Sequence, residues 1–391
     1  MGVTVLSPSA AAGRTTTRAF AVPWHIPAVL FASTSMVVGV IWDISWHMTI
    51  GRDTFWTPAH LAIYVGGVVG GLASGYVVLK TTFAGSPEDR AASVRFWGFR
   101  GPLGTWVAIW GAIAMLTSAP FDDWWHNAYG LDVQILSPPH VVLALGIVAV
   151  AVGAMLGTLA RQNRTDARGG WIDRGYAYAA GLVLTFVAIL ATEYTDRILH
   201  HSSIFYSVAS AAFPFVLIGA SRASRLKWPA TTIAAVYMLV TAMMVWILPL
   251  FPAEPLLGPI RRQITHMVPM DFPLLLIAPA FVIDLAAHRA REEKAWFMSV
   301  SYGVIFFVVL LVAQFGFSYF LMSRWSINPI FATDNFDYSM PNTWYKVRRD
   351  FYPWDATEGA MRWRFVVAVV LAVLSSRLGL AWGNWMRRVR R

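Results

Sequence analysis

Two stretches of this chain place the same chemistry-bearing residues at nearly the same spacing. Residues 42–60 read WDISWHMTIGRDTFWTPAH, and residues 121–140 read FDDWWHNAYGLDVQILSPPH. In each, an aromatic residue precedes an aspartate (Asp43, Asp122), and a histidine follows four positions on, behind a tryptophan (Trp46-His47, Trp125-His126). A glycine (Gly51, Gly130) and a second aspartate (Asp53, Asp132) come next. A hydroxyl residue and a proline then open an apolar run (Thr57-Pro58, Ser137-Pro138), and a histidine closes the unit (His60, His140). Asp and His four apart on a helix share one face. With nine histidines in the whole chain, two such units are hard to attribute to chance.

The chemistry these residues suit is metal binding. Asp43 and His47 fall on the last turn of one expected helix. Thr57 can cap the next, and Pro58 suits its first position, where no N–H is needed. An antiparallel hairpin then returns His60 beside Asp43 and His47, and His140 beside Asp122 and His126. One carboxylate and two imidazoles make a three-ligand site with room for water, oxygen or substrate. Asp53 and Asp132 are the expected partners for a ring N–H, so that the other nitrogen faces the metal. Gly51 and Gly130 supply a tight turn. A partial third set, Glu193, Asp196 and His200, lies in EYTDRILHHSS, without the closing Pro and His. The plain alternative is an interfacial helix end where Asp and His are hydrated or share one hydrogen bond. Two imidazoles and a carboxylate suit copper, zinc or non-haem iron. The His47-Met48 and His266-Met267 pairs lean toward copper.

The elements that position these residues follow from composition. Hydrophobic residues make up 57% of the chain and charged residues 13%, against about 25% charged in soluble domains. The expected fold class is all-α, a polytopic membrane helix bundle. About ten spans of the roughly 20 residues a bilayer needs are expected at 26–47, 58–80, 102–126, 138–160, 176–199, 203–221, 228–251, 272–288, 295–323 and 363–384. They read as successive hairpins, with degeneration of the repeat in the second half. The chain divides into a tail (1–25), two motif-bearing hairpins (26–161), further spans with the degenerate motif (162–323), an aromatic-rich outer loop (324–361), and a last span with a basic tail (362–391). That loop is either a lid or docking surface or an interfacial segment.

Charge sets the expected orientation. The chain carries a net charge of +10, with the basic residues concentrated between apolar runs, so topology explains it better than nucleic-acid binding. Lys80, Arg90, Arg95, Arg100, Arg161, Arg164, Arg222, Arg225, Arg289 and the C-terminal arginines fall on alternate links. The positive-inside rule puts those links and both termini in the cytoplasm of a bacterial inner membrane. Residues 1–20 lack the apolar core of a signal peptide and read as a cytoplasmic tail. Both repeated units, with His200, His201 and His266, then face the outer side. The chain has no cysteine, which excludes disulfides, thiolate metal sites and cysteine nucleophiles.

The spacing resembles a known family. In the C subunit of the copper membrane monooxygenases (particulate methane and ammonia monooxygenases), ligands follow Asp-x3-His-x12-His and Asn-x3-His-x13-His. Asp43-x3-His47-x12-His60 matches the first. Asp122-x3-His126-x13-His140 matches the second, with Asp where the family has Asn. The resemblance covers about 100 residues of a chain longer than that subunit. It implies copper at one or both positions, oxygen activation on a small substrate, and association with further membrane or periplasmic subunits. Four function classes remain open. The first is a copper-dependent oxygenase of small hydrophobic substrates, or a subunit of one. The others are a non-catalytic copper-handling or assembly protein, a zinc-dependent membrane hydrolase and, ranked last, a bis-histidine haem protein. The lipid bilayer is the one partner common to all, and oligomers are compatible with each.

Overall fold

The computed structural model describes residues 23–51, 54–130, 137–166, 170–196, 199–256, 260, 263–289, 294–321, 323–331, 355 and 357–391. Long apolar runs must satisfy their backbone groups internally where lipid offers no partner, and helices do so. In chain order the elements are α1 (His25–Thr49), α2 (Pro58–Ala84), α3 (Pro87–Ala91), β1 (Val94–Phe96), β2 (Phe99–Gly101), α4 (Leu103–Tyr129), α5 (Pro138–Gln162), α6 (Trp171–Leu190), α7 (Thr192–Thr195), α8 (Ser203–Ala223), α9 (Pro229–Ile247), α10 (Ile277–Arg289), α11 (Ala295–Leu321) and α12 (Glu358–Met386). Among the described residues, nine helices are long and apolar enough to cross a membrane: α1, α2, α4, α5, α6, α8, α9 with its continuation to Leu250, α11 and α12. The chain is an all-α bundle of the multi-pass membrane type.

The expected helix over 272–288 is the exception. α10 has 13 residues, about 20 Å at 1.5 Å per residue, too short for a hydrocarbon core of about 30 Å. Pro269 and Pro273 stand just ahead of it, and proline removes a donor and disfavours helix before it. Residues 265–276 run extended instead, antiparallel to α9. Met267 N–H donates to the Phe251 carbonyl at 3.0 Å, Leu274 N–H to the Tyr237 hydroxyl at 2.8 Å, and the Asp284 carboxylate accepts from Ala230 N–H at 3.1 Å and Thr231 N–H at 2.8 Å. These contacts lay the segment and α10 along α9 and the chain that follows it. Irregular backbone at membrane depth is tolerated only where protein covers it, and Met267, Val268, Leu274 and Leu276 are buried.

Packing centres on α6 and α8. Their apolar windows are 72% and 67% buried, against 33% for α4, α11 and α12. Tyr176, Phe186, Phe205, Tyr206 and Phe213 fill the space between them and their neighbours. Hairpin α4–α5 closes on glycine: a Cβ on Gly111 would lie 2.5 Å from the Gly146 carbonyl. The basic links meet at one end of the bundle. Asn163 donates to the Met386 and Val389 carbonyls at 3.1 and 2.8 Å, Gln162 to Ala223 at 2.9 Å, and Arg225 to Thr165. The link after α2 carries a hairpin that the sequence did not announce. β1 and β2 pair antiparallel, and φ is positive at both central residues, Trp97 (47°) and Gly98 (85°), as a tight two-residue hairpin requires. The tail 1–22 and most of the 324–361 loop lie outside the described residues. Of the latter, Asp355 accepts from Ser203 N–H at 2.9 Å and Ser203 Oγ at 2.5 Å, and from Arg364 at 3.0 Å.

Candidate metal centre

The repeated units fold as paired helix ends. α1 and α4 end on turns whose glycines adopt positive φ, 85° at Gly51 and 87° at Gly130, the conformation for which glycine carries no side-chain penalty. α2 and α5 begin on proline. Thr57 caps α2, its side chain accepting from His60 N–H at 3.3 Å. Ser137 occupies the same position on α5, but its hydroxyl makes no cap bond. Asp53 and Asp132 lie outside the described residues.

Each hairpin gathers its three side chains. In the first, Asp43 Oδ1 lies 3.2 Å from His60 Nε2, and Asp43 Oδ2 lies 3.8 Å from His47 Nε2. In the second, Asp122 Oδ1 lies 3.4 Å from His140 Nε2, and Asp122 Oδ2 lies 3.4 Å from His126 Nε2. The ligand atoms of Asp122, His126 and His140 all fall within 4.8 Å of one another. The first set is more open, with half-exposed His47 at the longest separation.

Donor counting separates a metal site from a hydrogen-bonded helix end. His60 Nδ1 lies 3.0 Å from the Thr54 carbonyl, and His126 Nδ1 lies 3.3 Å from the Gly130 carbonyl. A carbonyl only accepts, so both Nδ1 atoms carry protons. In the neutral ring, Nε2 then presents a lone pair. In each cluster one such lone pair, on His60 or on His126, therefore faces a carboxylate with no proton between them. Asp43 Oδ1 and Asp122 Oδ1, the equivalent atoms of the two units, are buried and have no hydrogen-bond partner. Such a group is costly to bury, and a bound cation at that point removes the cost. The donor set of nitrogen and carboxylate oxygen is of the kind that suits a transition-metal ion, and among the described residues the spacing for one is met at Asp122, His126 and His140. The ring N–H groups are oriented by main-chain carbonyls, which no side-chain pattern could have revealed.

Both clusters open into one cavity of about 650 Å³ between α2 and α4. Its polar end holds Asp43, His60, Asp122, His126 and His140. Asp123 also lines it, where the first unit has Ile44. The apolar arm follows α2 as far as Leu72 and α4 as far as Ile109, roughly 18–20 Å from the clusters at helical rise. Val68, Leu72 and Leu116 on this arm are largely exposed, so the cavity opens sideways between the helices.

The third set is not brought together. α6 ends at Leu190 and α7 spans only Thr192–Thr195, so Asp196 and His200 do not share a helix and their spacing of four gives no common face. Glu193 is exposed while His200 is 1% exposed. His200 Nδ1 accepts from Gln314 Nε2 at 3.3 Å, and its Nε2–H donates to the Thr195 carbonyl at 3.3 Å. Gln314 Oε1 in turn accepts from Leu275 N–H at 2.9 Å, so His200 braces the segment ahead of α10. His266 bonds Thr265 Oγ1 at 2.9 Å, and Met267 is buried away from it.

No protein-family model, curated protein or solved structure matches the chain.

Proposed function

We propose that this chain is a membrane metalloprotein that holds copper at Asp43, His47 and His60 and at Asp122, His126 and His140. In this reading it acts as an oxygenase of small hydrophobic molecules, or as the metal-bearing subunit of one. The observation that carries the proposal is the pair of buried carboxylate oxygens without a hydrogen-bond partner, one in each cluster, beside imidazoles of which His60 and His126 hold their ring protons on the far side. The resemblance in spacing to the copper membrane monooxygenases supports copper over zinc or iron, and the cavity's lateral opening supports an apolar substrate reaching the clusters from lipid. Copper bound at an open position would supply the oxygen chemistry.

The chain's own residues do the rest. Asp43 and Asp122 neutralise part of the cation's charge. Thr54 and Gly130 fix the tautomers of His60 and His126. The walls of α2 and α4 exclude water from the apolar arm. Asp123, near the second cluster, offers a carboxylate that can take up a proton from it. Basic links and both termini face the cytoplasm of a bacterial inner membrane, and the clusters face its outer side.

Elemental analysis with EPR on the detergent-solubilised protein tests this. One or two copper ions per chain are expected, with nitrogen-coupled Cu(II) signals. His47→Ala and His126→Ala should each remove about one ion. Unchanged metal content in both variants, or no stoichiometric metal after copper and zinc reconstitution, returns these residues to interface scaffolding.

A further inference from the structure

Four arginines gather around the β1–β2 hairpin, and neither the metal clusters nor the large cavity uses them: Arg90, Arg95, Arg100 and Arg164. Arg95 and Arg100 are direct partners across the ladder. Side chains opposite one another share a face, with Cβ atoms about 4.5–5.5 Å apart, and like charges placed so are destabilising. Main-chain carbonyls hold the other contacts. Arg90 Nη2 donates to the Thr82 carbonyl at 3.3 Å, Arg100 Nη1 to the Arg90 carbonyl at 3.4 Å, and Arg164 Nη2 to the Ala92 carbonyl at 3.1 Å. Thr82 Oγ1 accepts Arg100 N–H at 2.8 Å, which closes this short stretch of chain on itself.

A carbonyl accepts a proton but carries no full charge. Among the described residues, no carboxylate comes within 4 Å of these four guanidinium groups. The acids of the same link, Glu88 and Asp89, lie on α3, and the Asp89 carboxylate accepts Ser86 N–H at 3.1 Å and Ser86 Oγ–H at 3.0 Å. The positive charge is thus concentrated and held in place.

The opposite face of the hairpin is aromatic. Phe96 and Phe99 oppose one another. Phe96 packs on Trp106 and Trp110 with ring centroids 5.5 and 5.8 Å apart, Phe99 on Phe83 at 6.2 Å, and Trp97 on Trp110 at 5.5 Å. Phe83 stands at the end of α2, and Trp106 in the first turn of α4. Trp97 and Phe83 are largely exposed. Aromatic residues at the ends of spanning helices sit at headgroup level. The hairpin therefore carries its arginines at the depth of lipid phosphates, whose oxygens guanidinium groups bind in pairs.

We propose that this hairpin binds an anionic phospholipid, its phosphate held between Arg95 and Arg100 with Arg90 and Arg164 beside it. The phosphate relieves the repulsion of the opposed pair. Free inorganic phosphate shares that chemistry, and the exposed Trp97 and Phe83 favour the lipid. No residue is shared with either metal cluster, so the proposal does not rest on the copper reading.

The test uses the purified full-length chain, stripped of lipid in detergent. Native mass spectrometry and thermal unfolding follow titration with phosphatidylglycerol, phosphatidylcholine or inorganic phosphate. Saturable retention of phosphatidylglycerol is expected, with a rise in Tm that phosphatidylcholine does not give and that added salt weakens. The double variant Arg95→Gln, Arg100→Gln should weaken the apparent phosphatidylglycerol affinity by about tenfold or more. Without lipid it should melt at or above wild type, since it removes the opposed charges. A control double variant, Lys227→Gln, Arg289→Gln, removes exposed cations outside the hairpin and should bind as wild type does. Equal response to the two lipids overturns the proposal, as does full affinity in the hairpin variant. Equal losses in the hairpin and control variants would reduce the effect to general charge and also sink it. Inorganic phosphate that reproduces the whole Tm rise would assign the site to a free anion instead.

Discussion

The carbonyl of Gly130 lies 3.3 Å from His126 Nδ1, so the residue that ends α4 also sets which nitrogen of that histidine faces Asp122. Turn geometry and ligand chemistry are joined in one residue. Gly130 sits at φ 87°, ψ −179°, a region open essentially to glycine alone. A Cβ there would meet no atom within 4 Å, so any cost of a side chain comes from the backbone. Gly130→Ala should destabilise the protein by about 1–3 kcal/mol and, by shifting the carbonyl, loosen metal at the second cluster while sparing the first. Tm and metal stoichiometry check it; wild-type values for both would disconnect the turn from the cluster.

Substitution in the apolar arm should separate access from metal binding. Ala112 lines the cavity between α2 and α4, away from every ligand. Ala112→Phe fills that arm. Copper content and EPR should match wild type, while uptake of xenon or a small hydrocarbon by NMR should drop. Undiminished uptake would show that the arm is not the route.

His201 supplies a pH dependence. Its ring stacks on Phe315 with centroids 3.7 Å apart, and burial holds its pKa below the ordinary 6.5, against an opposing hydrogen bond to the Phe315 carbonyl. The fold thus prefers the neutral ring. The contribution is full above pH 6.5, is lost as pH falls from 6.5 toward the folded value, and is flat below it. Wild type should lose more stability between pH 7.5 and 5.5 than His201→Phe, which keeps the stack without the titration. Parallel pH profiles for the two proteins would remove His201 from the account.

Asp355 ties the chain before α12 to the start of α8 through Ser203 and Arg364. Asp355→Ala leaves a helix-terminal N–H and a guanidinium without that acceptor, at a cost of about 1–2 kcal/mol. Thermal unfolding in detergent measures it, and an unaltered Tm would mean the tie carries no stability.

The helix period made much of this legible in advance. Asp43 and His47 face one way because they are four apart, and Thr57-Pro58 announces where α2 begins, so His60 returns to them. The basic links told which turns share an end of the bundle. The third set misled because nothing in EYTDRILHHSS marks the stop at Leu190, and without a helix the spacing of Asp196 and His200 has no meaning. The span over 272–288 misled because apolar content alone cannot tell a helix from an extended chain covered by neighbours; Pro269 and Pro273 were the available warning. The acceptors for His60 and His126 were out of reach for a different reason. Every residue has a carbonyl, so only the path of the chain selects Thr54 and Gly130.

α1 carries its ligands on one face and a separate attachment on another. Ser45 donates to the carbonyl of Val268 at 2.5 Å, and Thr49 accepts the N–H of the same residue at 2.8 Å. Two bonds to the backbone of one residue lock a helix against both sliding and spinning, as a key locks a shaft. The azimuth at which Asp43 meets His60 is therefore set by a residue more than two hundred positions later. The second cluster has no such tether among the described residues and is complete within its own hairpin. During synthesis each cluster can gather once its own hairpin has formed, but the helix that carries Asp43 and His47 is fixed in azimuth only after Val268 has taken its place.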